Sequence, residues 1–121
     1  MNRAANVLLA EADGEFVRLA TGALSRAGHR LVAVDRGATA LERLRAQAFD
    51  LAIIGLRLPD TGGIELLEAM KTASPETPVV IVAADPGVDA AIAALRKGAY
   101  DFLRRPVAEE DLLAVAEKAA Q

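Results

Sequence analysis

Short apolar runs alternate along this chain with stretches whose apolar residues recur every three or four positions. That alternation predicts βα units around a parallel sheet. The runs fall at residues 7–10, 31–34, 51–55, 79–82 and 100–104, and most are too apolar for strands with one wet face. Asp13 suits the N-cap of a first helix, whose stripe is Phe16, Val17, Ala20, Ala23, Leu24 and Ala27 before Gly28 stops it. A second helix is predicted over 39–47, with Leu41, Leu44 and Ala48 on one side. The third, over 63–73, buries Ile64, Leu67 and Met70. Pro86 suits the first turn of a fourth helix that runs through Val88, Ala91, Ile92 and Leu95 to a Gly98 stop. The last spans 108–120, with Glu109, Glu110 and Asp111 at its positive end and Lys118 near its negative end.

These units predict a doubly wound α/β sandwich, filling residues 1–121 as one domain. Composition narrows the class. Of the 121 residues, 53% are hydrophobic and 3% aromatic, so Leu, Ile, Val and Ala must build the core. No apolar run approaches the roughly 20 residues needed to cross a bilayer, and the first residues lack a signal peptide's apolar stretch. With no cysteine there is neither a disulfide framework nor a thiolate metal site, which fits a cytoplasmic protein. A net charge of −3 disfavours binding to nucleic-acid phosphates by this domain. The single histidine, His29, follows the Gly28 stop and reads as an exposed turn residue or helix C-terminal partner. One histidine builds no metal cluster and no serine–histidine pair, and no glycine-rich fingerprint or P-loop lysine is present, so no enzyme activity and no cofactor are expected.

In doubly wound sheets, ligands sit beyond the carboxyl ends of the strands. The residues to read are therefore Glu11, Ala12 and Asp13, then Gly55, then Ala83 and Ala84, then Arg104, Arg105 and Pro106. The stretches Leu56-Arg57-Leu58-Pro59-Asp60-Thr61-Gly62-Gly63-Ile64-Glu65-Leu66-Leu67 and Gly98-Ala99-Tyr100-Asp101-Phe102-Leu103-Arg104-Arg105-Pro106 carry a resemblance. Together with the whole βα pattern, they resemble the two-component response-regulator receiver domain. The likeness is greatest to receivers of sigma-54-dependent activators of the nitrogen-regulation type. The resemblance implies a CheY-like, flavodoxin-like fold with sheet order 2-1-3-4-5.

It also implies a set of reactive residues, most of which this chain lacks. Gly55 stands where the family has its phosphoacceptor aspartate, and Ala12 where it has a direct magnesium ligand. Ala83 replaces a hydroxyl residue and Arg105 a lysine, while the aromatic switch residue is kept as Phe102. An acyl phosphate needs a carboxylate nucleophile in line with phosphorus, plus a divalent ion to neutralise the phosphoryl oxygens. Gly55 supplies no nucleophile. Glu11 and Asp13 lack a third side-chain anchor, so no metal site is expected and the two are only weak candidate ligands. Asp60, beyond Pro59, faces no evident cradle. Arg105 is expected to pair with Glu11 or Asp13 across the vacant pocket, and Phe102 to keep one rotamer. The resemblance implies a cis bond before Pro106.

The resulting expectation is a phosphorylation-independent pseudo-receiver in bacterial signal transduction, acting as a protein-interaction module. It would regulate an attached or partner output by homodimerising through its fourth helix, fifth strand and fifth helix. Arg96, Lys97, Asp101, Arg104, Glu109, Glu110 and Asp111 give that face charges of both signs. Two rivals follow from the same residues: a small-molecule sensor using the space left at Gly55 and Ala83, and a receiver phosphorylated at another acid, such as Asp60.

Overall fold

The computed structural model describes residues 4–84 and 87–121. Its strands are β1 (Asn6–Ala10), β2 (Arg30–Val34), β3 (Leu51–Gly55), β4 (Val79–Ala83) and β5 (Asp101–Arg104). Its helices are α1 (Gly14–Arg26), α2 (Gly37–Ala46), α3 (Gly63–Ala73), α4 (Gly87–Arg96) and α5 (Glu109–Ala119). All strand pairs are parallel, in the order β2-β1-β3-β4-β5. The doubly wound fold expected from the alternating pattern is the one observed.

Every residue of β3 and β4 is buried, as suits central parallel strands covered on both faces. Alternate side chains of these strands enter two cores. Leu9, Ile53 and Val80 join Phe16 and Leu24 of α1 and Leu112 and Val115 of α5. Leu8, Ile54 and Ile81 join Leu44 of α2 and Leu66, Leu67 and Met70 of α3. Gly28 and Gly98 end α1 and α4 with φ of +89° and +98°, conformations that side chains beyond glycine's rarely adopt.

Several predicted details shift. The second helix begins at Gly37, and Ala40 rather than Ala48 shares its buried side with Leu44. Ala27 is exposed because it lies at the C-cap of α1, past the helix's last packed turn. Leu66, not Ile64, is fully buried in α3, and Ile64 only lines the core's edge. In α4 the sequence phase misled most. Among the described side chains of α4, Ala94 is the buried one, while Ile92 and Leu95 are exposed. Pro86 lies outside the described residues, as does the side chain of Val88.

His29 departs furthest from expectation. Gly28 turns the chain so that the imidazole tucks beneath the sheet's N-terminal edge, only 6% exposed. Its Nδ1 accepts the Ala5 backbone N–H at 2.9 Å. It is a satisfied structural acceptor rather than a solvated turn residue.

Candidate functional site

Parallel pairing brings the carboxyl ends of β1, β3, β4 and β5 to one edge. The Leu56 N–H donates to the Val82 carbonyl at 3.2 Å, and the Arg105 N–H to the Ala83 carbonyl at 2.9 Å. Glu11, Gly55, Ala83 and Arg105 thereby become neighbours from four strands. Glu11, Asp13, Leu56, Arg57, Val82, Ala83, Ala84 and Arg105 line an open cleft of about 270 Å³ at this edge.

A cation with two carboxylates sits in that cleft. Arg105 Nη2 lies 2.7 Å from Glu11 Oε2, and Nη1 lies 2.5 Å from Asp13 Oδ2. The guanidinium carbon also stands 4.7 Å from the centroid of the Phe16 ring, a cation–π contact from α1. Among the described residues, Arg105 Nε is buried without a partner. Glu11 is buried at 6% exposure, and its other oxygen, Oε1, accepts from the Ala12 and Asp13 N–H groups at 3.0 and 3.1 Å. Pairing with Glu11 or Asp13 was expected from the sequence, and Arg105 engages both. Asp13 also caps α1, accepting the Glu15 N–H at 3.0 Å. Its hydrogen bond to Arg105 holds the Asp13 carboxyl below the usual carboxylate range.

Gly55 ends β3 directly against Glu11. A Cβ at position 55 would lie 2.8 Å from Glu11 Cδ and closer still to Oε2. The space a side chain would need is therefore filled by an acid from β1. Ala12 is exposed and brings only its N–H, while Ala83 is buried and brings only its carbonyl. Phe102 is half-buried against the α2–α3 side core. The Arg105-Pro106 peptide is cis, as the resemblance implied. Among the described residues, no group of three or more His, Cys, Asp or Glu side chains is arranged to hold a metal ion.

Asp60 does have a cradle. Its carboxylate accepts the Gly37 and Ala38 N–H groups at 2.9 and 3.0 Å, capping α2 from the β3–α3 loop. Those two bonds, with Ala38 the stronger cause, lower its carboxyl below the ordinary value. That cradle holds Asp60's own carboxylate at a helix N-terminus, and Asp60 is not among the residues lining the cleft of Glu11, Asp13, Ala83 and Arg105.

The proposed interface residues Arg96, Lys97, Asp101, Arg104, Glu109, Glu110 and Asp111 are all exposed, but three of them have partners within the chain. Lys97 reaches Glu68 of α3 at 3.6 Å, and Asp101 folds back to accept its neighbour Phe102's N–H at 2.7 Å. Glu109 pairs with Arg26 of α1, and so faces the α1 side rather than the fourth-helix side. Sequence reasoning missed the apolar members of this surface. Ile92, Leu95 and Tyr100 are exposed by 42%, 54% and 43%, and Lys118 lies 5.6 Å from the Tyr100 ring centroid.

Comparison with known proteins agrees with the fold. Residues 7–117 match the response regulator receiver domain family. The chain is 38% identical over 110 residues to the response regulator protein FleR of Pseudomonas aeruginosa, covering 91% of this chain and 23% of that protein. It is 34% identical over 102 residues to the transcriptional regulatory protein ZraR of Klebsiella oxytoca, covering 84% and 23%. It therefore spans about a quarter of the length of these curated relatives. Among solved structures, NtrX from Brucella abortus superposes with a TM-score of 0.89 at 31% identity, over 98% of this chain and 27% of that one. With the β2-β1-β3-β4-β5 sheet and the site at its carboxyl edge, these matches place the chain in the response regulator receiver domain family.

Proposed function

We propose that this receiver domain is a pseudo-receiver: it signals by contact and shape, without phosphorylation at its β3 end. One observation carries the reading. The space at position 55 holds no side chain of its own and is filled by Glu11, whose charge is answered by Arg105. There is no nucleophile at that point, and the cation that could steady a phosphoryl group is already engaged by two carboxylates. Glu11 and Asp13 are committed to Arg105 as well, which leaves them poorly placed as magnesium ligands. No cofactor is part of this reading, nor is an enzymatic activity.

The other candidate acid and the ligand-sensing rival gain little support. Asp60 is spent on the α2 N-terminus. Of the space a metabolite would use, the part beside Gly55 is taken up by Glu11, and what remains is the open cleft beside Ala83, whose charged groups already pair with one another.

The output is a protein: an attached domain or a separate partner, in the bacterial cytoplasm, regulated through dimerisation. Ile92 and Leu95 of α4 and Tyr100, just before β5, are exposed apolar residues, and the charged Arg96, Arg104 and Asp111 of α4, β5 and α5 are exposed as well. Apolar residues accompanied by charges of both signs suit a two-fold contact. Light scattering tests this. The expected result is a dimer whose mass falls to a monomer's on Leu95→Glu, and whose state ignores acetyl phosphate with magnesium. A mass that responds to the phosphodonor would refute phosphorylation independence, and an L95E variant that stays dimeric would refute the face.

A further inference from the structure

We propose that Glu11 is a built-in occupant of the side-chain space at position 55, coupled to Gly55 so that neither tolerates change alone. Together with Arg105 it clamps the β5–α5 turn to β1. The inference rests on the pseudo-receiver reading only in giving the clamped turn a signalling role.

Glycines elsewhere in the chain show what sets Gly55 apart. A Cβ at Gly22 would press on Arg26 Nη1, the end of an exposed side chain that can swing aside. One at Gly62 would press on the end of Glu65, which is also exposed. Glu11 has no such freedom. It is buried, one oxygen accepts two backbone N–H groups, and the other meets the Arg105 guanidinium. Making room for a side chain at 55 means surrendering the bonds of a buried carboxylate, where an unpaired charge is costly.

Arg105 is held with equal redundancy: by Glu11, by Asp13, by the Phe16 ring, and through its own N–H by the Ala83 carbonyl. The clamp thus joins the ends of β1, β4 and β5, and Glu11 closes it over Gly55. An acid delivered from β1 holds the turn that follows β5 in one arrangement, with no covalent mark needed.

A double-mutant cycle tests the coupling. Gly55→Ala alone should lower Tm by roughly 5 °C or more. In a Glu11→Ala background, the same change should cost nothing or raise Tm, because the obstruction is gone. Equal losses in both backgrounds would overturn the proposal. Glu11→Asp guards against a variant that fails to fold. Its shorter side chain withdraws from position 55 while keeping a charge for Arg105, and it should at least halve the Gly55→Ala penalty. Amide exchange reads the clamp itself. Exchange at Arg105 should accelerate about tenfold in Glu11→Ala, and unchanged protection would defeat the clamp. A phosphoryl adduct on the unaltered chain would defeat the pseudo-receiver reading and leave the cycle intact, whereas additive losses defeat this inference alone.

Discussion

Glu11 Oε2 and Arg105 Nη2 stand 2.7 Å apart, so the cation after β5 answers an acid from β1. Their side chains are 7% and 19% exposed, which puts the pair nearer the buried than the surface regime. Removing one partner should therefore cost about 3 kcal/mol, mostly the burden of the charge left behind. Arg105→Ala and Glu11→Gln are each expected to lose that much in urea unfolding. The double variant should lose at least about 1 kcal/mol less than the sum. Strict additivity would mean that the two groups do not hold each other.

Gly63 should be irreplaceable for a different reason. Its N–H donates to the Leu56 carbonyl at 2.6 Å, and a Cβ there would come within 2.8 Å of Leu56 Cα. Backbone cannot rotate away as a side chain can. Gly63→Ala is expected to lose about 2 kcal/mol or more. Gly22→Ala, inside α1, should instead gain up to about 1 kcal/mol from helix propensity once Arg26 moves. Chemical denaturation of the two variants side by side checks the contrast.

Acid should weaken the fold through Asp13 and Asp60. Both have folded pKa values below their unfolded ones, set chiefly by Arg105 for Asp13 and by the Ala38 N–H for Asp60. A carboxyl depressed on folding adds stability that is complete above the unfolded pKa, about 3.9, and is lost as pH falls through the folded value. Tm should hold steady from neutral pH to about pH 5 and fall below about pH 4. In Asp60→Ala the fall should be shallower, and an unchanged slope would remove Asp60 from the account.

His29 is expected to matter for folding and not for signalling. His29→Ala leaves the buried Ala5 N–H without an acceptor, a loss of about 1–3 kcal/mol. Thermal unfolding should register that loss, while the solution mass of the folded protein stays the same.

The elements and their order were legible because each strand is a short apolar run and each helix carries its own period. The meeting of Glu11, Asp13 and Arg105 was legible too, since a doubly wound sheet gathers its strand ends at one edge. What remained hidden depends on three-dimensional phase. Ile92 and Leu95 carry a helical spacing, yet Ala94 faces the core and they face out. Asp60 caps a helix that begins 23 residues earlier, a partnership no local window contains. His29 looked solvated beside Gly28, but the reversed chain turns its ring inward. The filling of position 55 by Glu11 depends on a side-chain direction that residue identity does not encode.

Intact-mass spectrometry after incubation with acetyl phosphate and magnesium tests the central claim most directly. The unaltered protein should keep its mass, because position 55 carries no nucleophile and Glu11 and Asp13 are bound to Arg105. A stoichiometric phosphoryl adduct, lost on Asp60→Ala or on Glu11→Gln, would contradict it.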